Sequence, residues 1–325
     1  MSKQQLYGIL KWALIVVVAL FMFFYVMPCF VKYLYGCIYE TPESIDVSKT
    51  GQLGDSYGIY NALFSGLAFA AVVVTLMYQI RDTRKRTLAN LYYQMLDTQQ
   101  KVIEDITVSQ VRYAKDPAKV EKSKGRKAFV EYKIQISKLL DAIKEVNEED
   151  HFNLSKNDIA DIAYAVFFYG SAPTWKPFMM EMLRDYQDKE RLVDAIISKL
   201  SAEKRYVLTR PNQNYLSVYF RNMYNAIKLI DQSKFLNDKE KSEYIKILRA
   251  QLSNAELYVL FFNVISRFGR KWIDGNLVEK YQLVQNIPAK YCDGYEPKDY
   301  FPRIKFESDE TTKSTFVDMQ MPRGQ

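Results

Sequence analysis

The chain has 325 residues, and 45 Lys and Arg against 38 Asp and Glu give it a net charge of +7. His151 is its one histidine, which excludes histidine dyads and metal sites that need two or more imidazole ligands. Glycine and proline number only 12 and 10, and no Asn-Gly or Asp-Gly turn separates two alternating strand patterns. This composition favours a helical protein over a β-sheet protein.

Two uncharged, apolar segments lie near the start of the chain, at residues 12–31 and 56–80. Each is long enough to cross a hydrocarbon layer of about 30 Å at about 1.5 Å per helical residue. We expect a transmembrane hairpin in residues 1–80, with helices at about 10–31 and 57–80 and a short loop between them. A cleaved signal peptide is the alternative for the first segment, but bulky aromatic residues stand where a small-residue cleavage site would be.

The charges beside the two segments predict their orientation. The basic cluster that follows the second segment consists of Arg81, Arg84, Lys85 and Arg86. Lys3 and Lys11 precede the first segment, whereas residues 33–55 between the segments are acidic. Because basic residues remain on the cytoplasmic side, we expect both termini in the cytoplasm and the loop outside. The basic cluster would then lie beside anionic headgroups of the lipid bilayer.

Small residues recur at every fourth position of the second segment and line one face of it, namely Gly58, Ala62, Gly66 and Ala70. Such a face lets two helices approach closely in lipid. The partner could be the first segment of the same chain or the same helix of another copy, which would give a homo-oligomer. Neither segment contains a charge, so neither predicts an ion path or a proton relay.

Residues 81–295 predict an all-α cytoplasmic domain, a helical bundle, because their apolar residues recur at helical spacing. We expect helices at 87–108, 129–146, 159–169, 179–200, 215–230, 238–265 and 277–286, with a break or bend near Asp188. Asn237 supplies a cap for the helix that starts at Asp238. The periodicity is lost from residue 296, so residues 296–325 are predicted to form an irregular or disordered tail.

Polar residues interrupt the apolar faces of the helices predicted at 215–230 and 238–265. The candidate polar site consists of Arg221, Asn222, Asn225, Lys228, Arg249, Ser253, Glu256 and Asn263. Because a buried charge is costly unless it is paired, we expect an arginine to pair with Glu256 between the two helices. Two interpretations stay open: a polar network that fixes helix register, and a recognition or catalytic surface.

The sequence contains no recognisable catalytic or cofactor motif. Arg221 would begin an Arg-x4-His ribonuclease signature, but Ala226 occupies the position of the histidine. A glycine-rich phosphate loop, a GxSxG elbow and a CxxC pair are all absent. Cys29 and Cys37 could form a disulfide outside the cytoplasm, whereas Cys292 stands alone. We therefore assign no catalytic residue and expect no cofactor and no metal. The sequence does not favour a nucleic-acid partner, but it does not exclude one.

Three blocks of the sequence resemble a bacterial phage abortive-infection family. The blocks are Gly51–Ala70 with Thr75 and Gln79, Tyr215–Tyr224 with Lys228, and Tyr244–Ser253 with Glu256, Leu257 and Asn263. Their order and spacing agree with the family over roughly residues 10–290. The family pattern often has a histidine after the second block, where this chain has Asn225, so the resemblance does not imply a histidine-based enzyme here.

The resemblance implies a role in defence against phage for a multi-pass protein of the bacterial inner membrane. It does not supply a mechanism, and three hypotheses follow. In the first, the helical domain binds a phage-derived or host defence protein and the membrane helices reassemble to disrupt the membrane. The second is a membrane-tethered enzyme, for instance a nuclease, and the third is a scaffold or adaptor without catalysis. The residues that an enzyme would use are Arg221, Asn222, Arg249 and Glu256.

Overall fold

A computed structural model describes residues 18, 21–26, 29, 33, 47–109, 121–186, 188–202 and 210–307. The chain divides into two compact units, residues 1–80 and 81–325. Most of the first predicted membrane helix, Cys37 and residues 308–325 lie outside the described residues, so the predictions made for them stay predictions.

The first unit contains a short π-helical turn, Met22–Val26, and the beginning of a long helix, α1, which runs Val47–Asp105. This helix begins ten residues before the predicted start at residue 57, so the end of the predicted loop is helical. Within α1, Asn61–Asp105 holds the one stretch in the described part of the chain that is long and apolar enough to cross a membrane, and none of its apolar window is buried. The second predicted span therefore coincides with a candidate membrane helix, and the first remains untested.

The later part of α1 changes from an all-round apolar surface to an amphipathic one. Its inward residues recur at helical spacing, and Tyr92, Leu96 and Ile103 are buried in the core of the second unit. The tyrosine hydroxyl of Tyr92 donates a hydrogen bond of 2.7 Å to the carbonyl oxygen of Tyr244. The end of α1 is thus part of the folded core.

A small antiparallel hairpin follows α1, although the sequence predicted no strand. Strand β1, Thr107–Ser109, pairs with β2, Lys122–Lys124, with Val108 opposite Ser123. These two residues face inward while their neighbours are more exposed. Three residues are too few to show the alternation that identifies a strand, which explains the missed prediction.

The rest of the second unit is helical, so the described chain has the predicted all-α class apart from this hairpin. The helices are α2 Arg126–Asp150, α3 Lys156–Tyr169, α4 Lys176–Met182, α5 Lys189–Ala202, α6 Gln213–Asp231, α7 Asp238–Arg249, α8 Asn254–Ile265, α9 Arg270–Asp274, α10 Leu277–Lys280 and α11 Pro297–Tyr300. The break expected near Asp188 is observed, because α4 ends at Met182 and α5 begins at Lys189.

Two helices are shorter than the sequence predicted. The helix expected at 238–265 is two helices, α7 and α8, because Ser253 has extended backbone angles and caps the N-terminus of α8. The helix expected at 277–286 ends at Lys280, after which Gln282 has a positive φ of 54° that an α-helix cannot accommodate. Apolar spacing continues through both breaks, so periodicity alone concealed them.

Helix α8 lies at the centre of the second unit. All of its residues from Ala255 to Val264 are buried, and it packs against α2 and α3. Residues 296–307, the beginning of the predicted tail, also contribute to the core, since Phe301, Ile304 and Phe306 are buried. Burial of this apolar surface supplies the main driving force for folding of the unit.

Candidate functional site

The carboxylate of Glu256 is at the centre of a buried polar cluster in the second unit, where it is fully shielded from solvent. Its Oε2 accepts hydrogen bonds from the Ser253 hydroxyl at 2.6 Å and from the Ser253 backbone N–H at 2.9 Å. The backbone N–H of Glu256 donates in return to Ser253 Oγ at 3.3 Å. This is a capping box, which satisfies backbone groups at the start of α8 and fixes the direction in which the helix leaves α7.

The other carboxylate oxygen of Glu256 reaches across to α6. Its Oε1 accepts a hydrogen bond of 3.2 Å from the hydroxyl of Tyr219, which is itself fully buried. Burial raises the pKa of Tyr219 well above its ordinary value, and the neighbouring charge of Glu256 raises it further. The phenol therefore keeps its proton and acts as a donor to the carboxylate.

A second group of polar contacts joins α6 to α1. The Asn222 amide donates to the carbonyl oxygen of Met95 at 2.9 Å and to Oε1 of Gln99 at 2.8 Å. Gln99 is buried, and its Nε2 has no hydrogen-bond partner among the described residues. The next residue is Gln100, whose Nε2 donates to Gln251 Oε1 at 3.0 Å. These contacts dock the last part of α1 on α6 and on the α7–α8 connection.

The predicted arginine–glutamate pairing is wrong. Arg221 is exposed on α6, and neither it nor Arg249 forms an ion pair with Glu256 in the described structure. Arg249 is half-buried and donates instead to the carbonyl oxygen of Tyr281 at 3.1 Å, while its Nε has no partner. Burial lowers the pKa of Arg249 by desolvating its charge, and the opposing effect of the Glu307 charge is smaller.

The remaining members of the candidate polar site lie in separate places. Asn225 and Lys228 are exposed on the outer face of α6, where the Lys228 amine lies 5.8 Å from the ring centre of Tyr224. Asn263 is buried and donates to the hydroxyl of Tyr164 at 3.0 Å. The structure thus brings Asn222, Ser253 and Glu256 into adjoining networks and separates the other residues from them.

The small-residue face and the basic cluster predicted from the sequence both lie on α1. A Cβ atom added at Gly58 or Gly66 would meet nothing within 4 Å in the described structure. In the basic cluster, Lys85 pairs with Glu240 at 2.7 Å and Arg86 with Asp82 at 2.8 Å. The Arg84 guanidinium lies 5.3 Å from the ring centre of Phe235. Three of the four basic residues, all except Arg81, thus contact a side chain of the second unit.

Sequence reasoning missed Tyr219 and Gln99, which complete the buried cluster. Tyr219 was assigned to the apolar stripe of its helix, and Gln99 is contributed by a helix distant in sequence. The sequence did contain a signal for Tyr219. Its hydroxyl is a polar group on the apolar stripe of α6, and the helix predicted to pack against that stripe carries Glu256. The contribution of Gln99 required the tertiary arrangement.

Two further polar groups were missed. Asp161 accepts hydrogen bonds from the backbone N–H of Arg267 at 2.8 Å and from its Nε at 2.9 Å, and the hydroxyl of Tyr186 donates to the same carboxylate at 3.0 Å. The hydroxyl of Tyr258 donates to Asp293 at 2.5 Å. Each carboxylate already accepts hydrogen bonds from protein donors, so both groups connect segments that are distant in sequence.

The buried cluster around Glu256 has the chemistry of a structural network. Its carboxylate accepts three hydrogen bonds within the protein, and it is inaccessible to solvent. Within the described ranges no group of three or more His, Cys, Asp or Glu side chains could hold a metal ion. The arrangement favours the interpretation that these residues fix the packing of α1, α6 and α8.

A comparison with protein families gives a match over part of the chain. Residues 211–291 match the family described as "Putative phage abortive infection protein", and no curated protein and no solved structure matches the chain. The matched segment includes α6 to α10, and therefore Tyr219, Asn222 and Glu256. It also includes the second and third blocks of the resemblance, whereas the block Gly51–Ala70 lies outside it. Over residues 211–291 the chain thus shows the sequence pattern of that phage abortive-infection family.

Proposed function

We propose that this protein acts in abortive infection as a membrane-anchored defence protein, with a helical sensing or effector domain that works without covalent catalysis. The match of residues 211–291 to a phage abortive-infection family carries the proposal of biological role. The uncharged, exposed part of α1 supports the membrane anchor, because a surface of this kind needs an apolar surround.

The polar geometry supports an action that does not depend on an active site. A nuclease would need an accessible base and a group that stabilises developing charge on phosphate. Glu256 is fully buried and hydrogen-bonded to Ser253 and Tyr219, while Arg221 is exposed elsewhere on α6. Neither arginine of the enzymatic hypothesis thus pairs with Glu256 in the described structure, although Asn222 lies in an adjoining network.

The membrane helices are the proposed effector. The face with Gly58 and Gly66 meets nothing in the described structure, so a second helix could pack against it, from the same chain or from another copy. Reassembly of such helices after infection would open the membrane and stop phage production with the death of the host cell. Binding of a phage-derived or host protein to the helical domain would be the trigger.

Plating of a phage panel on cells with and without the protein tests this proposal, together with a dye that reports membrane potential after infection. We expect fewer plaques and a collapse of the potential in cells that carry the wild type. Gly66→Leu should lose both effects, because the added side chain blocks helix approach. Ala71→Leu, an exposed position on the opposite face of the helix, is the matched control and should keep them.

Each part of the proposal has its own contradicting result. If the protein is present in the membrane and plaque numbers are the same with and without it for every phage, the proposed defence role is contradicted. Protection with an intact membrane potential would remove membrane disruption. Equal behaviour of Gly66→Leu and Ala71→Leu would remove the role of the small-residue face.

A further inference from the structure

The connection between α6 and α7 lies beside the part of α1 that directly follows its uncharged stretch. The Lys85 amine forms an ion pair of 2.7 Å with Glu240 in the first turn of α7. The Arg84 guanidinium lies 5.3 Å from the ring centre of Phe235 in the α6–α7 loop, residues 232–237. One contact from the loop and one from the first turn of α7 therefore place this connection next to residues 84 and 85.

The electrostatics of Glu240 follow from the closeness of these groups. Its pKa is lowered mainly by the hydrogen bond from Lys85 and next by the hydrogen bond from the backbone of Asn237, and the charge of Arg81 contributes as well. Arg81 is the first charged residue after the uncharged stretch that ends at Ile80. The start of α7 thus lies within electrostatic reach of the boundary between the two parts of the helix.

The distance from the uncharged stretch to the loop contacts is short. Lys85 follows Ile80 by five residues, which corresponds to roughly 7.5 Å along an α-helix. The headgroup region on one side of a bilayer occupies a layer of comparable depth outside the hydrocarbon core. If the stretch spans the membrane, residues 84 and 85 lie at the headgroup level, and so does the loop that contacts them.

The exposed charges around the loop suit this position. We define the basic collar as Arg81, Arg84, Lys234 and Lys239, all of which are exposed. Arg81, Lys234 and Lys239 form no ion pair within the described ranges of the chain. Asp238 is the one acidic residue between positions 232 and 239, and the nearby Glu240 is neutralised by Lys85. The collar therefore presents an excess of positive charge.

We propose that the α6–α7 loop lies on the cytoplasmic surface of the membrane and that the basic collar binds anionic phospholipid headgroups. The inference rests on the proposed function in one respect, the membrane span in α1. It assigns a lipid contact to the segment that matches the abortive-infection family, because residues 232–239 lie within it. The family-matched segment would then sense the state of the membrane surface directly.

Depth-dependent quenching in lipid nanodiscs tests the position of the loop. The full-length chain, with Cys29, Cys37 and Cys292 replaced by alanine, receives a single labelled cysteine at Lys234, Glu104 or Thr75. Glu104 is exposed on the same helix and lies about 28 Å beyond Lys85, so it is the matched control. A headgroup-attached nitroxide should quench the label at Lys234→Cys several-fold more than the label at Glu104→Cys.

The label at Thr75→Cys separates the two proposals. Thr75 belongs to the uncharged stretch, so a nitroxide on the lipid chains should quench it if α1 spans the bilayer. Quenching at Thr75→Cys with equal, weak quenching at Lys234→Cys and Glu104→Cys would overturn the position of the loop and leave the span intact. No quenching at Thr75→Cys would overturn the membrane anchor, and this inference with it.

Lipid selectivity tests the chemistry of the contact. Spin-labelled phosphatidylglycerol and phosphatidylcholine report how strongly the protein prefers the anionic lipid. Each cation near an anionic surface contributes roughly a fivefold preference, so Lys234→Gln combined with Lys239→Gln should lower the selectivity at least about fivefold. The control variant combines Lys122→Gln with Lys124→Gln on β2, the strand that pairs with β1 beyond the far end of α1. It should change the lipid selectivity little. Equal selectivity of both double variants would overturn headgroup binding by the collar.

Discussion

The carboxylate of Glu256 lies in the protein interior and forms no ion pair with the described residues. In place of solvent water, the carboxylate accepts hydrogen bonds from the hydroxyl and backbone N–H of Ser253 and from the hydroxyl of Tyr219. Removal of such a group costs more than its hydrogen bonds contribute, because the donors left behind stay buried and unsatisfied. Glu256 therefore controls how α8 packs against α6.

The first prediction concerns this side chain. Glu256→Ala should lower the free energy of unfolding by about 3 kcal/mol, because it removes the N3 partner of the capping box and leaves buried donors without an acceptor. Glu256→Gln should cost about 1 kcal/mol, since its amide oxygen can still accept from Ser253. Thermal denaturation of the detergent-solubilised protein, followed by circular dichroism, measures both. Equal destabilisation by the two variants would show that the carboxylate charge, and not the hydrogen bonds, is what matters.

The second prediction concerns the pH dependence of stability. Burial opposes ionisation of Asp231, but hydrogen bonds from the Lys280 amine at 2.6 Å and the Tyr281 hydroxyl at 2.7 Å outweigh it, so the pKa is lowered from 3.8. A carboxyl whose pKa is lower in the folded state contributes stability above its unfolded pKa, and this contribution is lost as pH falls through the folded pKa.

Asp231→Asn should therefore lower the melting temperature by a constant amount above about pH 5, equivalent to about 1–2 kcal/mol. The difference from wild type should shrink as the pH falls below 3.8. Melting curves recorded over this range give the test, with the exposed Asp274→Asn as control. A difference that grows on acidification would contradict the assigned role of Asp231.

At the scale of elements, apolar spacing identified most helices of the second unit, since each has one face against the core. It failed where that spacing continued across an interruption. The break between α7 and α8 was nevertheless encoded locally, because Ser253 and Glu256 stand at the positions of a capping box. The candidate site could be predicted only in part: Ser253 and Glu256 are local partners, whereas Asn222 acquires its role from α1, which is distant in sequence.

The third prediction compares two asparagines of α6. Asn222 donates to Met95 and Gln99 on α1, whereas Asn225 is exposed and its side chain forms no hydrogen bond within the described ranges. Asn222→Ala should cost about 1–2 kcal/mol and leave buried acceptors without a donor. Asn225→Ala should change stability by less than about 0.5 kcal/mol.

Hydrogen exchange locates this effect on the helix. With Asn222→Ala, amide exchange in residues 88–105 should become faster, because the end of α1 loses a tie to α6. The Asn225→Ala variant should match the wild type. Faster exchange confined to α6 itself would show that Asn222 supports only its own helix.

At the scale of the whole molecule, one continuous helix connects residues of both units. Helix α1 begins at Val47, includes the uncharged stretch and ends at Asp105 in the core of the second unit. Its last turns contact α6 and the residues that connect α7 to α8, all of which lie within the family-matched segment 211–291. Within the second unit, the family-matched segment thus holds the end of this helix by direct hydrogen bonds.

The fourth prediction concerns orientation, for which the charge distribution is the argument. Acidic residues dominate positions 33–55, whereas the cluster at Arg81–Arg86 is basic, so residues 33–55 should face the periplasm and residues 81–325 the cytoplasm. Single cysteines at Glu43 and Lys234, in a chain whose natural cysteines are replaced, report the two sides. A membrane-impermeant maleimide should label Glu43→Cys in intact cells and Lys234→Cys only after lysis. The reverse pattern would place the family-matched segment outside the cell, where it could meet neither an infection product nor the cytoplasmic leaflet.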